Sequence, residues 1–80
     1  MGETPTIYGT DWCGDCRSAK QYFADNSVEY TWVDVEANPD EIETVMRYNS
    51  GRRTIPVVVF DDGSHLTEPS NAELAAKLSS

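Results

Sequence analysis

The chain has two cysteines, Cys13 and Cys16, set in Asp11-Trp12-Cys13-Gly14-Asp15-Cys16-Arg17 at the spacing Cys-x-x-Cys. Thiol–disulfide exchange needs one thiolate to attack and a second thiol to resolve the mixed disulfide, and two cysteines one helical turn apart meet that need. At the junction of a strand and a helix this spacing marks a redox dithiol. Three other uses compete with it. A structural zinc site takes about four ligands from Cys, His or carboxylate, whereas there is no third cysteine and His65 is the one histidine. A purely structural disulfide across so short a loop contributes only about 2 kcal/mol in the chain-entropy model, and stapled domains usually carry several bridges. Two inert, buried thiols fit poorly with the glycine and aspartate between them.

The elements that must position the two sulfurs can be read on either side. Thr6-Ile7-Tyr8-Gly9 is β-branched and aromatic and runs into Gly-Thr-Asp, which predicts a first strand ending in a turn just before the cysteines. From Cys16 onward Ala19, Tyr22, Phe23 and Asn26 recur at helical spacing, so an amphipathic helix follows, with Cys13 at its first turn. Its unpaired N–H groups and the positive end of its dipole favour a thiolate at Cys13. Cys16, one turn further in, is then the resolving thiol. Residues 28–35 alternate as a second strand, with Tyr30 and Trp32 on one face and Val33 and Val35 on the other. Asn38-Pro39-Asp40-Glu41 predicts a helix start capped by Asn38, with Ile42, Val45, Met46 and Asn49 on the inner face and a stop at Asn49-Ser50-Gly51.

Residues 57–60, Val-Val-Val-Phe, form a continuous apolar run suited to a central strand. Asp61-Asp62-Gly63-Ser64 predicts a hairpin, and His65-Leu66-Thr67 the returning strand. Ser70 and Glu73 stand in capping-box register for a last helix that buries Leu74 and Leu78. The order β-α-β-α-β-β-α implies an α/β fold: a four-stranded mixed sheet with three helices over its two faces.

Eighty residues are expected to form one domain spanning 1–80, with a small core. Fourteen acidic against six basic residues give a net charge of −8, which opposes binding to nucleic acid or an anionic membrane. The N-terminal residues show neither a signal peptide nor an anchor, so the expectation is a cytoplasmic protein, where a Cys-x-x-Cys is held reduced and used catalytically. Tyr8 is read as core and Trp12, directly before Cys13, as a wall of the site. His65 is read as a solvated strand residue, and Asp40, Glu41 and Glu43 as helix-start charges.

Taken together, the Cys13-Gly14-Asp15-Cys16 motif, the segment Asn49-Ser50-Gly51-Arg52-Arg53-Thr54-Ile55-Pro56 and the spacing between them resemble glutaredoxins of the thioredoxin-like fold over nearly the whole chain. The segment from Asp62 to Ser70 resembles the actinobacterial mycoredoxins within that group. The resemblance implies a thiol–disulfide oxidoreductase with Cys13 and Cys16 as catalytic residues. It also implies that Ile55-Pro56 is a cis-proline turn beside the dithiol, although a cis X-Pro bond is otherwise uncommon, at about 5%. Thr54, Ile55 and Pro56 should then line a substrate groove with Trp12, with Arg53 and Arg52 at its edge. Asp15 departs from the family pattern; a carboxylate beside a thiolate disfavours it, so Asp15 is read as a modulating residue.

The family's lysine before the first cysteine and its Gly-Gly-x-Asp turn before the last helix, which hold the carboxylates of glutathione, are replaced here by Thr10-Asp11 and Glu68-Pro69-Ser70-Asn71. An acidic chain without those cations disfavours anionic glutathione and points instead to mycothiol as the low-molecular-weight reductant. The expected partners are oxidised proteins or mixed disulfides and a thiol or flavoprotein reductase system. No bound cofactor or metal is expected, and a monomer is. Two alternatives stand beside this reading: a redoxin reduced by thioredoxin reductase that supplies electrons to ribonucleotide reductase, and an iron–sulfur scaffold in which Cys13 helps hold a cluster across a dimer.

Overall fold

A computed structural model describes residues 4–52 and 54–78. Its elements are β1 (Thr6–Gly9), α1 (Gly14–Asp25), β2 (Thr31–Asp34), α2 (Glu41–Tyr48), β3 (Val57–Val59), β4 (His65–Thr67) and α3 (Asn71–Leu78). The four strands form one mixed sheet in the order β2-β1-β3-β4. β1 is parallel to β2 and antiparallel to β3, which is antiparallel to β4. The β-α-β-α-β-β-α order and the mixed sheet therefore stand as expected from the sequence.

Alternation along the strands separates two packed layers. Ile7 and Val58 face one side, where they meet Ala19 and Phe23 of α1, Leu74 of α3 and Phe60. On the other side Val57 packs with Val35 and Val45 of α2, and half-buried Tyr8, Ile42, Tyr48, Ile55 and Val59 close that layer. Helices α1 and α3 thus cover one face and α2 the other. The dithiol lies where β1 hands over to α1, so both layers hold its framework. Among the described residues no helix is long and apolar enough to cross a membrane.

Several boundaries differ from the sequence expectation, each for a local reason. β2 begins at Thr31 rather than residue 28 because Val28 is spent on closing α1: its N–H donates to the Phe23 carbonyl at 2.8 Å, with Ser27 in the left-handed region at φ 56°. Asn26 is the C-cap of α1 rather than part of its inner face, and its side-chain amide donates to the Tyr22 carbonyl. α2 starts at Glu41 after a turn in which Glu41 N–H donates to Asn38 C=O and Ile42 N–H to Pro39 C=O. Asn38 does not cap it, since its amide donates back to Asp34 C=O, and Asp40 at the N-cap makes no side-chain bond.

α2 ends as α1 does, with Ser50 at φ 56° and the Gly51 N–H on the Met46 carbonyl at 2.7 Å. The capping box of α3 forms in full: Ser70 N–H donates to Glu73 Oε1 and Glu73 N–H to Ser70 Oγ. Leu74 is buried, but Leu78 only half so. At the far end the hairpin is tied to α3 by Lys77 on Asp62 at 2.6 Å; this contact, with the Ser64 hydrogen bonds, holds the Asp62 carboxyl well below the usual carboxylate range.

Candidate active site

The two sulfurs occupy different environments although they are one turn apart. Cys13 is the N-cap of α1, in extended backbone at φ −84° and ψ 119°. An N-cap side chain can accept one of the N–H groups that a helix start leaves without a partner. Here Cys13 Sγ does so, accepting the Cys16 N–H at 3.4 Å. The segment is fastened further by Cys13 N–H on Thr10 C=O at 3.4 Å and Arg17 N–H on Cys13 C=O at 3.1 Å. Cys13 is half-buried, whereas Cys16 is wholly buried. Both are free thiols. Burial pushes the Cys16 thiol up to about 12, reinforced by its hydrogen bond to Cys13 and the nearby Cys13 and Asp15 charges and opposed by a hydrogen bond from Thr10 backbone. Asp15 itself is exposed in the first turn of α1.

Room for Cys16 comes from Gly9. A Cβ built on Gly9 would stand 2.4 Å from Cys16 Sγ and 3.1 Å from both Cys16 Cβ and the Trp32 ring. Any side chain at the end of β1 would therefore push the inner sulfur away from the strand. The next residue, Thr10, is 2% exposed, and its Oγ1 has no partner among the described residues. Gly9 does not stand out in the sequence as part of a site, and Thr10 does so only where the family's lysine is missing. A glycine directly after a strand aromatic reads simply as a turn, and its tight contact with the helix appears only when the two elements are assembled.

Trp12 is the one large hydrophobic residue exposed among those described, at 67%. Its indole N–H donates to Glu36 Oε2 at 2.7 Å, joining the Cys13 loop to the turn after β2. Asp34 shapes that turn by accepting the Glu36 and Ala37 N–H groups. Trp12, Thr10, Val35, Glu36, Ile42 and Ile55 line a cleft of about 320 Å³. Glu36 is a further residue that sequence reading misses, since nothing in the spacing links it to a tryptophan 24 positions away.

The Ile55–Pro56 peptide is cis, Pro56 is buried, and its carbonyl accepts the Glu68 N–H at 2.8 Å. Ile55 shares the cleft with Trp12, but Thr54 does not. Thr54 lines a second cleft of about 470 Å³ with Asn49, Ser50, Arg52, Thr67 and Glu68. Asn49 sets this division: its amide donates to the Thr54 carbonyl at 2.7 Å and its Oδ1 accepts the Thr67 hydroxyl at 2.6 Å, which clamps the approach to Pro56 between α2 and β4. Thr54 and Ile55, neighbours in the chain, thus line different clefts. Arg53 lies outside the described residues.

His65 packs against Tyr48, the rings tilted by 53° with centroids 4.9 Å apart, and lines neither cleft. Tyr8 packs in the α2 layer, its phenol pushed up by burial and by Glu41 and Tyr48. Among the described residues no three Cys, His, Asp or Glu side chains converge as a metal ion would require.

The arrangement joins an accessible sulfur at a helix start to a buried sulfur behind it. Comparison with known proteins bears on the family and the fold. The glutaredoxin family model matches residues 6–66. The chain is 48% identical over 73 residues to a glutaredoxin-named protein of Mycobacterium tuberculosis, covering 91% of this chain and 87% of that one. It is 41% identical over 73 residues to Mycoredoxin 1 of Corynebacterium glutamicum, covering 91% and 90%. In fold it is similar to the crystal structure of a glutaredoxin from Archaeoglobus fulgidus, with a TM-score of 0.82 at 24% identity over 100% of this chain and 89% of that one.

Proposed function

We propose a dithiol mechanism for this chain, which belongs to the glutaredoxin family and is a thiol–disulfide oxidoreductase: Cys13 attacks and Cys16 resolves. The observation that carries the assignment is the contrast between a half-buried Cys13 at the α1 N-cap and a wholly buried Cys16 behind it. In the first step the Cys13 thiolate attacks one sulfur of the substrate disulfide, a Cys13–substrate disulfide forms, and the other substrate sulfur leaves as a thiolate. In the second, Cys16 loses its proton to the departing side and attacks Cys13 Sγ. The Cys13–Cys16 disulfide forms, and the second substrate thiol is released. Two equivalents of a small thiol return the protein to the dithiol, each contributing one electron and one proton.

Burial, the largest cause of the raised Cys16 thiol, persists in the mixed disulfide and keeps Cys16 protonated near neutrality, which slows the second step. A mixed disulfide between Cys13 and a small thiol can then be reduced directly by a second small thiol, without Cys16. Protein substrates, held longer on the surface, use Cys16. In this reading Trp12, Arg53, Thr54, Ile55 and Pro56 serve substrate binding, and Asp15 modulates the dithiol through its charge.

Mycothiol is the reductant in this proposal, and the cytoplasm its setting. Support comes from the 41% identity to a protein named Mycoredoxin 1 and from the cleft lined by Trp12, the residue before Cys13. That cleft carries Thr10 and Glu36 and no basic side chain among the described residues, a poor fit to the carboxylates of glutathione. Turnover of a mycothiol mixed disulfide against a glutathione mixed disulfide tests the proposal. Mycothiol should be preferred, Cys13→Ser should abolish activity on both, and Cys16→Ser should retain it on the small mixed disulfide. A preference for glutathione, or efficient recycling by thioredoxin reductase alone, would overturn the mycothiol assignment. Activity surviving in Cys13→Ser would overturn the role of Cys13.

A further inference from the structure

We propose that the cleft bounded by Trp12 and Glu36 selects the protein substrates of this enzyme, taking a bulky apolar side chain next to the target cysteine and favouring a lysine or arginine beside it. This rests on the reading of Cys13 as the attacking sulfur. The occupant is an extended polypeptide segment bearing a disulfide.

Four of the six lining residues, Trp12, Val35, Ile42 and Ile55, offer apolar surface, and the volume of about 320 Å³ lies within the range of side-chain and small-ligand pockets. Trp12 directly precedes Cys13 in the chain, so a substrate sulfur at Cys13 brings its neighbouring residues to this cleft. A large aromatic left 67% exposed on a small protein marks a contact surface, and no other described residue of that size is so exposed. The Glu36 hydrogen bond holds the indole in place, so the wall exists before substrate arrives. A leucine or phenylalanine side chain would replace water against these walls.

Charge supplies the second half of the selection. Glu36 is the one charged residue on the cleft, and its other carboxylate oxygen has no partner among the described residues. Lys20 of α1 lies over the Trp32 ring at 3.9 Å and pairs with Asp11 at 3.8 Å, and no basic side chain lines the cleft among the described residues. With a net charge of −8 behind it, the rim is complementary to a basic segment and repels an acidic one.

The test uses the reduced protein and symmetric disulfides of four short peptides, pairing Leu or Ser after the cysteine with Lys or Glu in the next position. Each reaction oxidises the protein to its Cys13–Cys16 disulfide and releases two peptide thiols, and rates are normalised to those with dithiothreitol to remove intrinsic reactivity. Leu should be favoured over Ser by about tenfold, the low end for burying a few carbons in an apolar pocket. Lys should be favoured over Glu by about three- to fivefold at low salt, as for an exposed charge pair, and the preference should fade at high salt. Glu36→Gln, which can still accept the indole N–H, should bring the Lys/Glu ratio close to one with the Leu/Ser ratio kept, whereas Glu36→Lys should invert the Lys/Glu ratio and, by losing that hydrogen bond, lower the Leu/Ser ratio. Equal rates for all four peptides in an active wild-type protein would overturn the inference alone, as would a Lys/Glu preference that survives Glu36→Lys. Failure of the wild type to reduce any of the peptides would overturn the dithiol reading beneath it.

Discussion

At the scale of single residues, the inner sulfur depends on what is missing from Gly9. A methyl group there would stand 2.4 Å from Cys16 Sγ, closer than packed atoms tolerate. Gly9→Ala should therefore cost about 1–3 kcal/mol, the usual range for overpacking, and should slow closure of the Cys13–Cys16 disulfide while leaving alkylation of Cys13 near the wild-type rate. Urea unfolding and a rapid-quench oxidation time course check both parts. The Cys16 thiol also gives folding a pH dependence. Its ordinary value of 9.0 applies to the unfolded chain and about 12 to the folded one, so the folded state holds a proton that the unfolded state releases between those values. This contribution is fully present below pH 9, is lost as pH rises toward 12, and is removed by Cys16→Ser. Urea midpoints under reducing conditions at pH 8 and pH 10.5 should fall further for the wild type than for Cys16→Ser; parallel falls would contradict the burial of this sulfur.

Among the elements, the helix ends show where sequence reading reaches and where it stops. The capping box at Ser70 and Glu73 was legible because both partners lie within one turn and each bond is local. The proposed cap at Asn38 was equally local in its residue types, yet the Asn38 amide is spent on Asp34 C=O, a choice set by the turn leaving β2. Ser27 and Ser50 each take the left-handed position that usually calls for glycine, which only the backbone reveals. Ser27→Gly and Ser50→Gly should each raise stability by about 0.5–1 kcal/mol, since a residue with a Cβ is strained there. Thermal unfolding of the two variants and their double measures it, and the effects should add because the sites close different helices. The cleft was legible only in part. Trp12 and Ile55 flank motifs visible in the sequence, but Glu36 and Asn49 act through partners 24 and 18 positions away, and their side chains give no periodic signal.

On the scale of the whole molecule, strand order and hydrophobic pattern place the dithiol at the end of β1 with a core layer on either face of the sheet. Those features were readable because each strand and helix carries its own period and the connections are short. The partition of the approach into two clefts was not, because it follows from how the residues before Pro56 are clamped between α2 and β4. The layered packing leaves one sulfur at the surface and hides the other, and that asymmetry is the central claim. It is tested most directly by treating the fully reduced protein with less than one equivalent of iodoacetamide at pH 7 and locating the adduct by peptide mass spectrometry. The label should fall on Cys13, with Cys16 modified only after denaturation; equal labelling, or an excess on Cys16, would contradict the account.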